Sequence, residues 1–157
     1  MKKQIFILFI FLFFFSCKKD KVFEEYKKIE NNNWSADSII SFKYLIKDTL
    51  SRHEITLKIR HTVDYKYRNL YLFLGNENNK DTLEIILAEK NGKWKGRGIG
   101  EFREITRVVK KDELYNRKKH YIINIEHAMR YGAEEKIESL KNISSLGLMI
   151  RRIDEKN

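Results

Sequence analysis

From Trp34 onward the apolar residues return at every second position, and a chain with that period is committed to strands rather than helices. In HEITLKIRH, Ile55, Leu57 and Ile59 share one face while Glu54, Thr56, Lys58 and Arg60 share the other, so this strand has one dry side and one wet side. The same alternation sets Phe42, Tyr44 and Ile46 against Ser41, Lys43 and Leu45, and Leu70, Leu72 and Leu74 against Tyr71 and Phe73. It continues through DTLEIIL, HYIINIEHAM and SLGLMIRRI, with EITRVVK a weaker instance. Turn residues fall between the runs at Gly75–Asn79, Asn91-Gly92 and Gly132. About seven or eight short strands at regular spacing predict an all-β fold, an antiparallel sandwich or barrel, and a single β-sandwich of jelly-roll type is the reading taken. Residues 133–142 are the one stretch where a short helix fits, with charges around Ile137 and Leu140.

The N-terminus follows a different rule. Met1-Lys2-Lys3 precedes an unbroken apolar run from Ile5 to Phe15, then Ser16 and Cys17. A short basic head, an apolar segment and a small residue describe a secretory signal. At about 1.5 Å per helical residue the run covers about half of a ~30 Å hydrocarbon core, so it does not span. Cys17 is the chain's one cysteine and stands directly after the small residue, the arrangement of a bacterial lipoprotein signal. Cleavage before Cys17 and acylation of its thiol are the expectation; two or more acyl chains such as palmitate anchor stably where one does not. The division expected is 1–16 signal peptide, 17–33 acylated Cys and polar tether, and 34–157 β-sandwich domain.

Composition narrows the function. The chain's 157 residues carry +10, and loss of Lys2 and Lys3 with the signal leaves +8. No cysteine remains for a disulfide after acylation, so packing must supply the stability. A basic chain invites a nucleic-acid reading, but the Lys and Arg residues are scattered and the chain is exported, so no nucleic acid is expected.

Catalytic signatures are missing from the sequence. His53 and His61 share the dry face of one strand but lie eight residues apart, about 26 Å if extended. His120 and His127 fall on opposite faces of another strand, so the four histidines read as strand-end residues and no metal is expected. There is no Gly-x-Ser-x-Gly elbow and no thiol left for a nucleophile. Glu84 and Glu126 read as members of a solvated sheet face. Gly96-Arg97-Gly98-Ile99-Gly100 lacks dinucleotide spacing and instead suggests a bulge, tight bend or close backbone approach. No catalytic residue and no cofactor are expected. Tyr65, Tyr67 and Trp94 form the possible binding surface: exposed in a coplanar row they would stack on sugar rings as a carbohydrate-binding module does, and buried they would pack the core or its rim.

In order, Val22-Phe23-Glu24-Glu25-Tyr26, Trp34, Asp64-Tyr65-x-Tyr67-x-Asn69-Leu70-Tyr71-Leu72-Phe73 and Asp81-Thr82-Leu83-Glu84 resemble the gliding motility lipoprotein GldH family of Bacteroidota. Gly92-x-Trp94-x-Gly96-x-Gly98-x-Gly100-Glu101, Ile125-Glu126-His127-Ala128-Met129-Arg130 and Ser145-Leu146-Gly147-Leu148 complete the set. The resemblance implies an outer-membrane lipoprotein, a structural or assembly component of the gliding machinery linked to type IX secretion. It implies protein partners in that apparatus, a membrane contact through the lipid, no enzymatic activity and no cofactor. The mostly basic Lys18-Lys19-Asp20-Lys21 favours the periplasmic face.

Overall fold

The computed structural model describes residues 20–76, 79–130, 132 and 136–153. Ten strands follow one another: β1 Lys21–Lys28, β2 Asn33–Ser35, β3 Ile40–Ile46, β4 Arg52–Thr62, β5 Asn69–Asn76, β6 Asn79–Ile86, β7 Phe102–Glu113, β8 Lys119–His127, β9 Ser139–Lys141 and β10 Ile143–Ile153. One 3-10 turn, Glu30–Asn32, joins β1 to β2. The described chain is all-β, and every ladder is antiparallel. One four-stranded sheet runs β1-β10-β4-β7 and a second runs β3-β8-β5-β6, with β2 and β9 forming a short ladder of their own.

The alternation read from the sequence decides which side of each sheet is dry. On β4, Ile55, Leu57 and Ile59 are buried and stand opposite Ile150, Leu148 and Leu146 of β10. From the other sheet Phe42, Leu70, Leu72, Leu74 and Ile125 join them in one core. Each such side chain contributes roughly 1.5–3 kcal/mol by leaving water. Trp34 and Leu140, cross-strand partners in the β2–β9 ladder, close one end of this core. The Trp34 indole Nε1 donates to Ser38 O at 3.0 Å, so the ring's polar atom is satisfied where it is buried.

Two expectations are corrected. Much of the segment expected as a tether is β1, paired with β10 from Lys21 to Lys28, so the sheet begins ahead of the boundary expected at Trp34. Its charged residues disguise it. Phe23, Glu25 and Lys27 form the more covered side, Phe23 packs 5.8 Å from the Tyr44 ring, and the main chain completes the edge of β10. The short helix expected over 133–142 gives way at its C-terminal end to β9, because Leu140 is better buried against Trp34 in an extended chain. Residues 133–135 of that stretch, the signal peptide and Cys17 lie outside the described residues.

Candidate functional site

A broad concavity among the described residues lies on the outer face of the β1 sheet, at the end where β1 finishes. It is an open groove of about 850 Å³. Tyr26 and Lys28 come from β1, Arg60 from β4, and Phe102, Arg103 and Glu104 from β7. Its far wall is the glycine-rich segment Arg97–Ile99.

Two glycine positions make the groove. Gly147 faces Tyr26 across the β1–β10 ladder, and a Cβ there would press into the Tyr26 ring, so the ring lies on the sheet only because residue 147 has no side chain. At Gly98 a Cβ would overlap the Phe102 carbonyl oxygen. Without one, the chain folds back along β7, and Arg97 and Glu104 exchange N–H···O bonds of 3.0 and 2.7 Å. This is the close backbone approach that the glycine spacing suggests.

The charges are arranged in two tiers. At the floor, Arg60 Nη2 meets Glu104 Oε2 at 2.8 Å, and the Tyr26 hydroxyl donates to the other Glu104 oxygen at 3.4 Å. The Tyr26 ring lies beneath two cations, Lys58 Nζ at 5.5 Å and the Arg60 guanidinium at 5.6 Å from its centroid. Lys58 and Lys21 both donate to Glu24, and these bonds hold its carboxyl down to about 2. At the rim, Arg103 Nη1 donates to the carbonyls of Gly100 and Phe102 at 2.7 Å, which steadies the glycine wall. Arg97 and Lys28 have no side-chain partner among the described residues. Ile99 is 92% exposed at the crest of the wall. The groove therefore offers uncommitted positive charge beside aromatic and apolar surface.

The possible binding surface read from the sequence has another character. Tyr65, Tyr67 and Trp94 do come together, but around buried His61. Trp94 lies 4.7 Å from the His61 ring, and Tyr65 is inclined 71° to Tyr67 and 52° to Trp94. Tyr65 is buried with its hydroxyl donating to Asn69 O, and burial raises its pKa far above the ordinary phenol value. Sugar stacking needs an exposed coplanar row, and these rings pack the end of the core. Three of the four histidines are more than strand ends: His53, His61 and His127 are buried, while His120 is exposed. His61 Nδ1 carries a proton and donates to Thr62 O at 2.8 Å. Burial lowers the pKa of both His61 and His127, with the Thr62 carbonyl opposing it at His61. Glu84 accepts from Asn69, and Glu126 pairs with Lys80 at 2.6 Å, each on the outer face of the β3 sheet. Among the described residues no three His, Cys, Asp or Glu side chains converge as a metal site would require.

No single motif foretells the groove, since its residues come from widely separated segments. The one signal for it in the sequence is Gly96-Arg97-Gly98-Ile99-Gly100.

Fold and surface together define an antiparallel β domain whose principal feature is a basic, aromatic-floored cleft. The chain belongs to the GldH lipoprotein family, which it matches over residues 21–150. It is 31% identical to the gliding motility lipoprotein GldH homolog of Christiangramia forsetii, over 97% of this chain and 99% of the relative. It is 28% identical to the gliding motility lipoprotein GldH of Flavobacterium johnsoniae, over 98% of this chain and 99% of the relative.

Proposed function

We propose that this chain is a lipid-anchored component of the cell envelope that serves gliding motility as a structural or assembly subunit, and that it binds rather than catalyses. Cleavage leaves Cys17 acylated, the outer membrane holds the anchor, and the domain faces the periplasm. The observation that carries this reading is the span of the likeness to gliding motility lipoproteins, which leaves too little of the chain unmatched to exclude Cys17. We read the two sheets as the faces of a β-sandwich. Their strand orders, β1-β10-β4-β7 and β3-β8-β5-β6, follow the pairing of a jelly roll, which supports the more specific fold assignment.

The groove is the docking site for a protein of the gliding and type IX secretion apparatus, and the segment it takes is acidic. Arg97 and Lys28 supply charge that no side chain among the described residues neutralises, while Tyr26 and Ile99 supply apolar contact. Arginine and aromatic residues dominate the energetics of protein interfaces.

The test is a detergent-solubilised pull-down from native envelopes of the wild-type, Cys17→Ala and Arg60→Glu/Arg97→Glu proteins, with motility scored in the same strains. Wild type should recover motility or secretion subunits and support spreading. Cys17→Ala should lose acylation and docking, and the double charge reversal should keep acylation and lose the partner. Co-purification of polysaccharide without protein would overturn the assembly reading. Unchanged partner recovery by the double variant would remove the groove from it.

A further inference from the structure

The groove lies at one end of β1, and the described chain begins at the other. Lys21 and Lys28 are seven residues apart, about 23 Å along a strand. From Asp20 back to Cys17 the three intervening steps reach at most about 11 Å. Whatever surface surrounds Asp20 would therefore sit close to an anchor on Cys17.

Two loops build that surface. The first, residues 47–51, joins β3 to β4; the second, residues 114–118, joins β7 to β8. They are tied together, since His53 pairs with Glu113, the His53 and Tyr115 rings meet at 5.3 Å, and Arg52 Nη1 donates to Asp112 O. They are tied to the start of the chain as well: Arg152 N donates to Asp20 O, and the Arg152 guanidinium lies 3.7 Å from Asp20 and 3.9 Å from Asp48.

The loops present an unusual pair of side chains. Leu50 is 93% exposed and Leu114 is 54% exposed. Leu50 is not held out by chance. Asp48 accepts from the Leu50 and Ser51 amides and from the Ser51 hydroxyl, so the turn is fixed with the leucine at its tip. Beside the leucines stand exposed Lys47, Arg117 and Lys118. The acids here are Asp20, Asp48, Asp112 and Glu113, of which the first two face Arg152. Apolar tips flanked by lysine and arginine suit the headgroup region of an anionic bilayer, where the leucines enter the acyl boundary and the cations meet phosphates.

We propose that this end of the domain is a lipid-facing surface, with Leu50 and Leu114 as its apolar tips and Lys47, Arg117 and Lys118 as its headgroup contacts. The inference rests on the reading of Cys17 as the anchor, and it orients the molecule: the loops lie on the membrane and the groove points away from it. The surface strengthens a contact the acyl chains begin and fixes the tilt of the domain.

The test separates the surface from the anchor. Mature chain carrying Cys17→Ser is sedimented with vesicles of phosphatidylcholine alone and of phosphatidylcholine with phosphatidylglycerol. Binding to the anionic vesicles only is expected. Each of Lys47→Glu and Lys118→Glu should weaken it by about fivefold or more, and Leu50→Asp/Leu114→Asp should reduce it further. Leu50→Trp emission should move to the blue on the anionic vesicles, and Ile99→Trp emission at the groove should not. Circular dichroism confirms that each variant is folded. If Arg60→Glu/Arg97→Glu weakens binding as much as the loop variants do, the attraction belongs to net charge and the proposal fails. It also fails if inorganic phosphate displaces the protein at an ionic strength where chloride does not, since the site would then be one for a free anion. Acylation of the native protein is followed separately with an alkyne fatty acid, so loss of the anchor reading and loss of this surface give different results.

Discussion

Mild acid should destabilise this domain before its carboxylates protonate, because two buried imidazoles resist protonation in the native state. His61 sits against Trp94 and Tyr65, and His127 lies 5.4 Å from the Trp34 ring. Burial holds both below the ordinary imidazole range. In the unfolded chain each binds a proton near pH 6.5. Above that pH both states are neutral and the histidines contribute nothing to the pH dependence. As pH falls below 6.5, the unfolded chain takes up protons that the native chain refuses, so stability falls until the native groups also titrate. Each such group changes unfolding free energy by about 1.4 kcal/mol per pH unit, so the two together approach about 2.7 kcal/mol per unit. Against roughly 5–15 kcal/mol for a native domain, that slope removes a sizeable share of the stability for each pH unit over which the native imidazoles stay neutral. Urea unfolding followed by tryptophan fluorescence at about pH 7.5, 6.5, 5.5 and 5.0 spans the window above the carboxylates. His61→Phe and His127→Phe should each make the slope shallower, by at most about one proton, whatever they do to stability at about pH 7.5. A wild-type slope below half a proton, or a slope unchanged in both variants, would refute the reasoning.

Glu24 should give the opposite signature at lower pH: its folded value near 2 is depressed, so its contribution is complete above about pH 4.5 and vanishes as pH falls towards 2. Because the carboxylate is partly solvated, the difference between wild type and Glu24→Gln should be only about 1 kcal/mol at pH 6 and near zero at pH 2, read from urea midpoints. Gly98→Ala should lift the glycine wall from β7, costing about 1–3 kcal/mol for the two Arg97–Glu104 backbone bonds and speeding hydrogen exchange at those amides. Leu57→Ala leaves a cavity in the middle of the core and should cost about 2–5 kcal/mol in thermal or urea unfolding, without changing the groove.

The parts of the fold legible in the sequence are those where one face is dry and the other wet. β4 is legible because Ile55, Leu57 and Ile59 alternate with polar neighbours across an interior strand, but Glu54 and Thr56, expected on its wet side, are buried as well, Glu54 in an ion pair with Arg151. β7 reads as weak because it is an edge: Arg107, Lys110 and Lys111 lie along it, and Ile105 is its one buried apolar residue. β1 is hidden for the same reason, since an edge strand draws much of its stability from main-chain pairing with β10, which composition does not record. β9 is lost to a conflict of periods. Ile137 and Leu140 sit three residues apart, as on a helix, yet Leu140 is fixed by Trp34 from over a hundred residues away. At the candidate site the glycine wall was legible as a backbone feature, but its ligand-facing neighbours were not. Tyr26 becomes a floor only through its register with Gly147, and Arg60 looked like one more charge on a wet face. Tyr65, Tyr67 and Trp94 are visible in the sequence only as candidate rings, because whether a ring packs or stacks depends on tertiary burial.

The placement of β1 has a mechanical meaning. A molecule held by lipid at the Lys21 end and gripped by a partner at the Lys28 end is pulled along the axis of its edge strand. The hydrogen bonds to β10 run across that axis, so tension is shared along the ladder in shear instead of opening it one bond at a time. The same pairing pulled sideways would unzip. On the proposal that Cys17 is the anchor and the groove the docking site, a strand that begins near one and ends beside the other would make this small domain a coupling that resists stretch along its own axis.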